Sequence, residues 1–204
     1  MQTAIDGRQI GLSGTAKDLE GAIQEIVNEH VGNERIVWSV LVNGQQYNEK
    51  RPHDARRVVV GDIRTLEITT MGKGDICLAF LENSAIILDS LSKAAQEVAD
   101  RFREREDSET HALYLQFLGA LQDFFEMLKQ SETILALNYS NGEDSGMSVE
   151  MRLDRLVNLM NRMIASQKSE DSVMLADLIE FELISELKEL EIVLPKVAAR
   201  GKGD

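Results

Sequence analysis

Five carboxylates, Asp177, Glu180, Glu182, Glu186 and Glu189, recur at two- to four-residue steps in one C-terminal segment. Acids held close together on one helix can act as general acid and base, and Glu182, which falls among apolar residues, is the one most suited to that chemistry. Other chemistry-bearing residues are sparse. A di-iron site in a helical bundle needs paired Glu-x-x-His steps, so that carboxylate and imidazole project inward one turn apart. The chain has three histidines, His30, His53 and His111, and none stands in that pattern. Asp107 and His111 are one turn apart at the start of a helical stretch and read as a cap and a surface pair. Cys77 is the single cysteine. It has no CxxC partner and sits on an apolar stripe, which predicts an inert core thiol. No phosphate-binding, dinucleotide-binding or nucleophile-elbow motif is present. The sequence therefore predicts no catalytic, metal-ligating or cofactor-binding residues, and it assigns the five acids to a solvated helix face.

The elements that would position any such group change character at Gly72-Lys73-Gly74. Before it the apolar residues recur at a period of about two, and after it at about three and a half. In the first half, Asp6-Gly7 separates two short extended runs as a tight hairpin turn would. Leu19, Ala22, Ile23, Ile26 and Val27 form one helical stripe, with Thr15 as the expected N-cap and Gly32 as the expected left-handed stop. Ile36 to Val42 is a nearly continuous apolar strand that Asn43-Gly44 turns back toward Gln45 and Gln46. Val58 to Val60 and Thr65 to Thr69 supply the last extended pieces.

The order strand, strand, helix, strand, short strand, strand resembles the ubiquitin-like superfamily over residues 1–71. The likeness is carried by the leading hairpin, the helix from Thr15 to Val31, the unit Val40-Leu41-Val42-Asn43-Gly44-Gln45 and the closing segment Gly61 to Ile68. It implies a β-grasp domain used as a compact docking module that presents a sheet face or edge. Conjugation or sulfur transfer would need a free diglycine tail. Here Gly72-Lys73-Gly74-Asp75 continues into a helix, and Gly201-Lys202-Gly203-Asp204 ends on an acid. Lys50, Arg51, Arg56, Arg57 and Arg64, with His53 among them, form a basic patch suited to an acidic contact.

After a Gly-rich junction at 72–75, residues 76–198 predict an acidic, antiparallel four-helix bundle, followed by a flexible tail at 199–204. The overall expectation is thus α+β. The first helix carries Cys77, Leu81, Leu88, Leu91, Ala95, Val98 and Phe102. The second runs to about Tyr139, and the small polar segment 140–146 predicts a loop. The third carries Leu153, Leu156, Val157, Met160, Met163 and Ile164 on its inner face. The fourth carries Val173, Ala176, Ile179, Leu183, Leu187, Leu190 and Leu194, and Pro195 is expected to close it. Met174, Leu175, Leu178 and Phe181 lie off that stripe. Together with Glu182 they predict a partner-binding surface or a homodimer contact.

The charge is uneven. Residues 1–71 hold eight Lys/Arg against ten Asp/Glu, whereas residues 72–204 hold fourteen against twenty-five. An acidic field of that size disfavours nucleic acid and anionic membranes. No apolar run is long enough for a membrane span, the N-terminus has no secretory leader pattern, and the lone cysteine fits a reducing compartment, so a cytoplasmic location is expected. The function expected from these features is a non-enzymatic interaction or assembly adaptor that works without a cofactor. The alternative is a small-ligand-binding protein or enzyme with a pocket between the halves, lined by Ile76, Phe80, Trp38 and either Glu182 or His111.

Overall fold

Asp6 and Gly7 both take positive φ (48° and 78°), as do Asn43 and Gly44 (53° and 78°), which is the backbone a two-residue hairpin turn requires. The computed structural model describes residues 1–48, 53–140 and 147–201. It divides into two compact units, Met1–Ile76 and Cys77–Asp204. The chain is α+β, with a mixed sheet first and helices after it.

In the first unit, strands β1 (Gln2–Ile5), β2 (Arg8–Ile10), β3 (Arg35–Val42), β4 (Gln45–Gln46) and β5 (Thr65–Gly72) form one five-stranded sheet in the order β2-β1-β5-β3-β4. The central β1–β5 pair is parallel, with Thr3 opposite Leu66 and Ile5 opposite Ile68, and the other pairs are antiparallel. A bulge between Val37 and Ser39 interrupts the β3–β5 ladder. Helix α1 (Leu19–His30) places Leu19, Ala22 and Ile26 in a core with Ile5, Val40, Leu66 and Ile68.

Several local expectations are corrected. The cap of α1 is Asp18 rather than Thr15, because its carboxylate accepts the Gly21 N–H at 2.9 Å, while Thr15 is engaged with Ser13. The helix leaves through Val31 in an extended conformation, and Gly32 takes no positive φ. Val58 to Val60 do not form a strand. Val59 makes one isolated bridge to Asp18, and the backbone curls into short 3₁₀ turns at Asp54–Arg57 and Val60–Asp62. Gly72 closes β5 opposite Arg35, and helix α2 (Lys73–Glu82) begins at the next residue. Lys50, Arg51 and the segment 141–146 lie outside the described residues.

In the second unit, α2 ends at Asn83, where ψ opens to 3° and the helical ladder is interrupted before α3 (Ser84–Glu104) begins. One rod was expected here, and the structure has two. Helix α4 (Ser108–Ile134) is capped by Asp107, which accepts the Thr110 N–H at 2.9 Å. It stops short of Tyr139 because Ala136 takes a positive φ of 50° and turns the chain. Tyr139 then folds back, and its hydroxyl meets Ser131 Oγ at 2.8 Å. Burial there pushes its phenol up to about 12. Helix α5 (Val149–Lys168) is capped by Ser148.

The last rod comprises α6 (Ser172–Asp177), a π-helical turn at Leu178–Leu183 and α7 (Ile184–Gly201). Pro195 does not close it. Proline removes one backbone donor and strains one turn, yet Leu194 and Ala198 on either side stay buried, and that packing carries the helix through. The helix reaches Gly201, inside the stretch expected as a tail, while residues 202–204 lie outside the described residues. No helix among the described residues is long and apolar enough to cross a membrane.

Asp6 ties the first unit together. Its carboxylate accepts the Thr70 N–H and the Thr70 hydroxyl, both at 2.7 Å, and Arg35 lies 3.4 Å away. The two hydrogen bonds from Thr70, ahead of Arg35, hold its pKa below the ordinary aspartate value of 3.8. A depressed carboxylate stabilises the fold above its unfolded pKa, and that contribution disappears as pH falls through the folded value. Asp6→Asn is expected to cost about 1 kcal/mol at neutral pH, a figure reduced for solvent screening. In thermal melts across pH, the gap between wild type and Asp6→Asn closes below about pH 4.

Candidate functional site

The acids of the last rod face arginines on neighbouring helices. Arg103 on α3 reaches Asp177 at 2.7 Å and also bonds Glu180. Arg162 on α5 takes Glu182 in a two-point contact, with the closer approach 2.5 Å. Arg152 and Arg155 approach Glu186 at 3.9 and 3.5 Å, and Arg152 reaches Glu189 at 3.1 Å. These bonds raise the pKa of Arg103, chiefly through Asp177 and then Glu180, and that of Arg162 through Glu182. The set is a lattice of interhelix ion pairs, and Glu182 is bound into it.

The π turn makes this arrangement possible. Its i→i+5 step gives the Ile184 N–H to Ile179 O and widens the helix by one residue. The buried pair Leu178–Ile179 is followed five residues later by Leu183–Ile184, and the wide turn keeps both pairs inward. Glu180 is thereby directed toward α3 and Glu182 toward α5, with Phe181 between them.

The structure separates the five residues expected to meet a partner. Leu175 and Leu178 are each 2% exposed and belong to the core of this chain's own helical unit. Met174 and Phe181 remain outside, and Phe181 is 64% exposed with the Arg103 guanidinium 5.6 Å from its ring centre. Leu175 and Leu178 lie off the main stripe of the rod, and a second buried face of the same rod absorbs them. That rod packs against α3 on one side and α5 on another.

A second open apolar surface lies between α4 and α5. Leu118, Gln122, Phe125, Glu126, Lys129 and Met160 line a groove of about 430 Å³. Leu115 on α4 and Val157 and Ile164 on α5 extend the same stripes and are exposed. Val157 and Ile164 were expected on the inner face of α5, and their exposure corrects that assignment. The signal was present in the spacing, since 153, 157, 160 and 164 form a second stripe beside the core stripe 156, 159 and 163.

The other candidates are engaged locally. Arg56 bonds Glu20 at 2.6 Å, His53 meets the same carboxylate at 3.2 Å, and Arg57 lies 3.6 Å from Asp54. Those acids offset much of the described part of the basic patch. The backbone N–H of Arg64 donates to Asn43 Oδ1 at 2.7 Å. His111 approaches Glu106 at 3.4 Å and stands edge-on to Phe102, while His30 lies near Glu29. No group of acids, histidines and cysteine among the described residues could hold a metal ion. In the first unit an open cleft of about 780 Å³ is lined by Ile23, Val27, Trp38, Tyr47 and His53 among others, and Trp38 is 59% exposed beside it. Phe80 packs in the helical core against Phe124, with ring centres 5.2 Å apart.

Residues 79–193 match the model of a family described as a domain of unknown function, DUF8042, and residues 2–71 match a second, DUF8043. The first match spans more than half of the 204 residues, and the chain belongs to the DUF8042 family. The N-terminal match is to DUF8043 rather than to a ubiquitin-like family. No curated protein and no solved structure matches the chain.

Cys77 is 2% exposed, and desolvation pushes its thiol up from the ordinary value. The native protein is expected to resist a thiol-specific reagent at neutral pH and to react fully in denaturant. Rapid stoichiometric labelling of the folded chain would contradict the buried placement.

Proposed function

We propose that this protein is a non-enzymatic interaction or assembly adaptor, in which an acidic helical unit offers an apolar groove and the N-terminal unit serves as a docking module. The observation that carries this reading is the apolar run on α4 and α5: exposed Leu115, Val157 and Ile164 beside half-buried Leu118, Phe125 and Met160. Contiguous apolar surface of this kind on an acidic protein favours a protein partner or a second copy over nucleic acid or membrane. We read the first unit as β-grasp-like, supported by the central parallel β1–β5 pair and the helix between β2 and β3. We read α3, α4, α5 and the rod Ser172–Gly201 as an antiparallel four-helix bundle, supported by their shared core. A cytoplasmic setting suits the lone buried thiol.

Val157→Glu with Ile164→Glu is expected to lower the fluorescence of an apolar dye bound to the native protein by at least about half, with little change in Tm because both side chains are already exposed. Unchanged dye binding, together with a strictly monomeric particle in light scattering, would count against the adaptor reading.

Ligand binding is the second reading, favoured by the cleft beside Trp38 and Tyr47 in the first unit. Trp38 is the only tryptophan and so reports directly on that cleft. A saturable change in its emission with a small apolar or nucleotide ligand is the outcome this reading requires, and a flat response across such a screen sinks it.

A further inference from the structure

We infer that the groove between α4 and α5 receives a basic amphipathic helix from a protein partner, an inference that rests on the adaptor reading above. Leu115, Leu118, Gln122 and Phe125 follow one another at three- and four-residue steps on α4, and Val157, Met160 and Ile164 do so on α5. The ten steps from Leu115 to Phe125 span about 15 Å, room for roughly three helical turns laid along the groove. Such a trough accepts an apolar stripe at i, i+3, i+4 and i+7.

Gly119 is a second, independent feature of the same face. It is exposed, it lies one turn from both Leu115 and Gln122, and its backbone has ordinary helical φ. A Cβ placed there would meet no atom within 4 Å. Among the described residues nothing in packing or backbone geometry calls for glycine there, the least favourable residue of a helix interior apart from proline. A missing side chain at that point lets another backbone approach α4 closely.

Charge selects the occupant. Glu126 and Lys129 line the groove as one acid and one base, so the net sign is set by the acidic unit around it. Residues 72–204 carry fourteen basic against twenty-five acidic side chains, so a second copy would bring like charge to the interface. A helix with Lys or Arg beside its apolar stripe meets the opposite sign.

The test uses the full chain and two synthetic peptides of about 18 residues with the same leucine stripe, one flanked by Lys and Arg and the other by Glu. In fluorescence anisotropy the basic peptide is expected to bind at least about tenfold tighter at low salt, and this advantage shrinks as salt screens the flanks. Gly119→Leu fills the open space without a clash in its own chain. It is expected to keep or raise Tm while weakening the basic peptide at least about tenfold. Phe181→Ala, outside the groove, leaves affinity unchanged.

Equal affinity for both peptides, binding of neither, or wild-type affinity in Gly119→Leu overturns the inference. Self-association of the native chain that Gly119→Leu abolishes would assign the groove to a second copy and overturn it as well. If the peptides fail while the glutamate double variant still loses dye binding, the adaptor reading survives and only the basic helix is rejected.

Discussion

The last rod has to bury apolar residues on two faces at once, and the arrangement of the helical unit follows from that requirement. Leu175, Ala176, Leu178, Ile179, Leu183, Ile184, Leu187, Leu190, Val193, Leu194 and Ala198 are all withdrawn from solvent. A helix in which so much of the circumference is apolar must sit between neighbours rather than against one. Helix α3 covers one side and α5 another, and the π turn resets the phase where the buried pairs fall five residues apart. The same demand carries the helix through Pro195, since ending it there would expose Ala198 and free Val197 from the core.

Once that rod is enclosed, the charges and the remaining apolar surface fall into place. Arg103 on α3 and Arg152, Arg155 and Arg162 on α5 stand along the two flanks of the rod and take up its carboxylates. The acids that would have been the obvious catalytic candidates are thereby joined to basic partners and hold helices in register. Between α4 and the outer side of α5, Leu115, Val157 and Ile164 stay exposed, with no covering element among the described residues. An apolar trough on a net acidic unit is the feature on which the proposed adaptor role rests.

Much of this was legible in the sequence, for identifiable reasons. Asp-Gly and Asn-Gly fixed both hairpin turns because few other pairs tolerate two positive φ values in succession. Asp107 announces a helix start because its side chain completes the first turn. The surplus of Leu175 and Leu178 is also visible, but periodicity reports how much of a helix is apolar and not what covers it, and these two residues are buried in the chain's own core. Val157 and Ile164 were assigned inward for the same reason: a three-and-four spacing holds equally for a core stripe and for the stripe beside it. No glycine or proline marks the break at Asn83, and beside the extended exit at Val31 Gly32 takes no positive φ, so local propensity announces neither.

The central claim is that Leu175 and Leu178 are sealed in the core of the chain's own helical unit while Leu115, Val157 and Ile164 lie uncovered on α4 and α5. Carbene footprinting of the native, isolated chain with peptide-level mass spectrometry tests this most directly. The account predicts heavy labelling at Leu115, Val157 and Ile164 and almost none at Leu175 and Leu178. Labelling of Leu175 and Leu178 as strong as that of Val157 would contradict it.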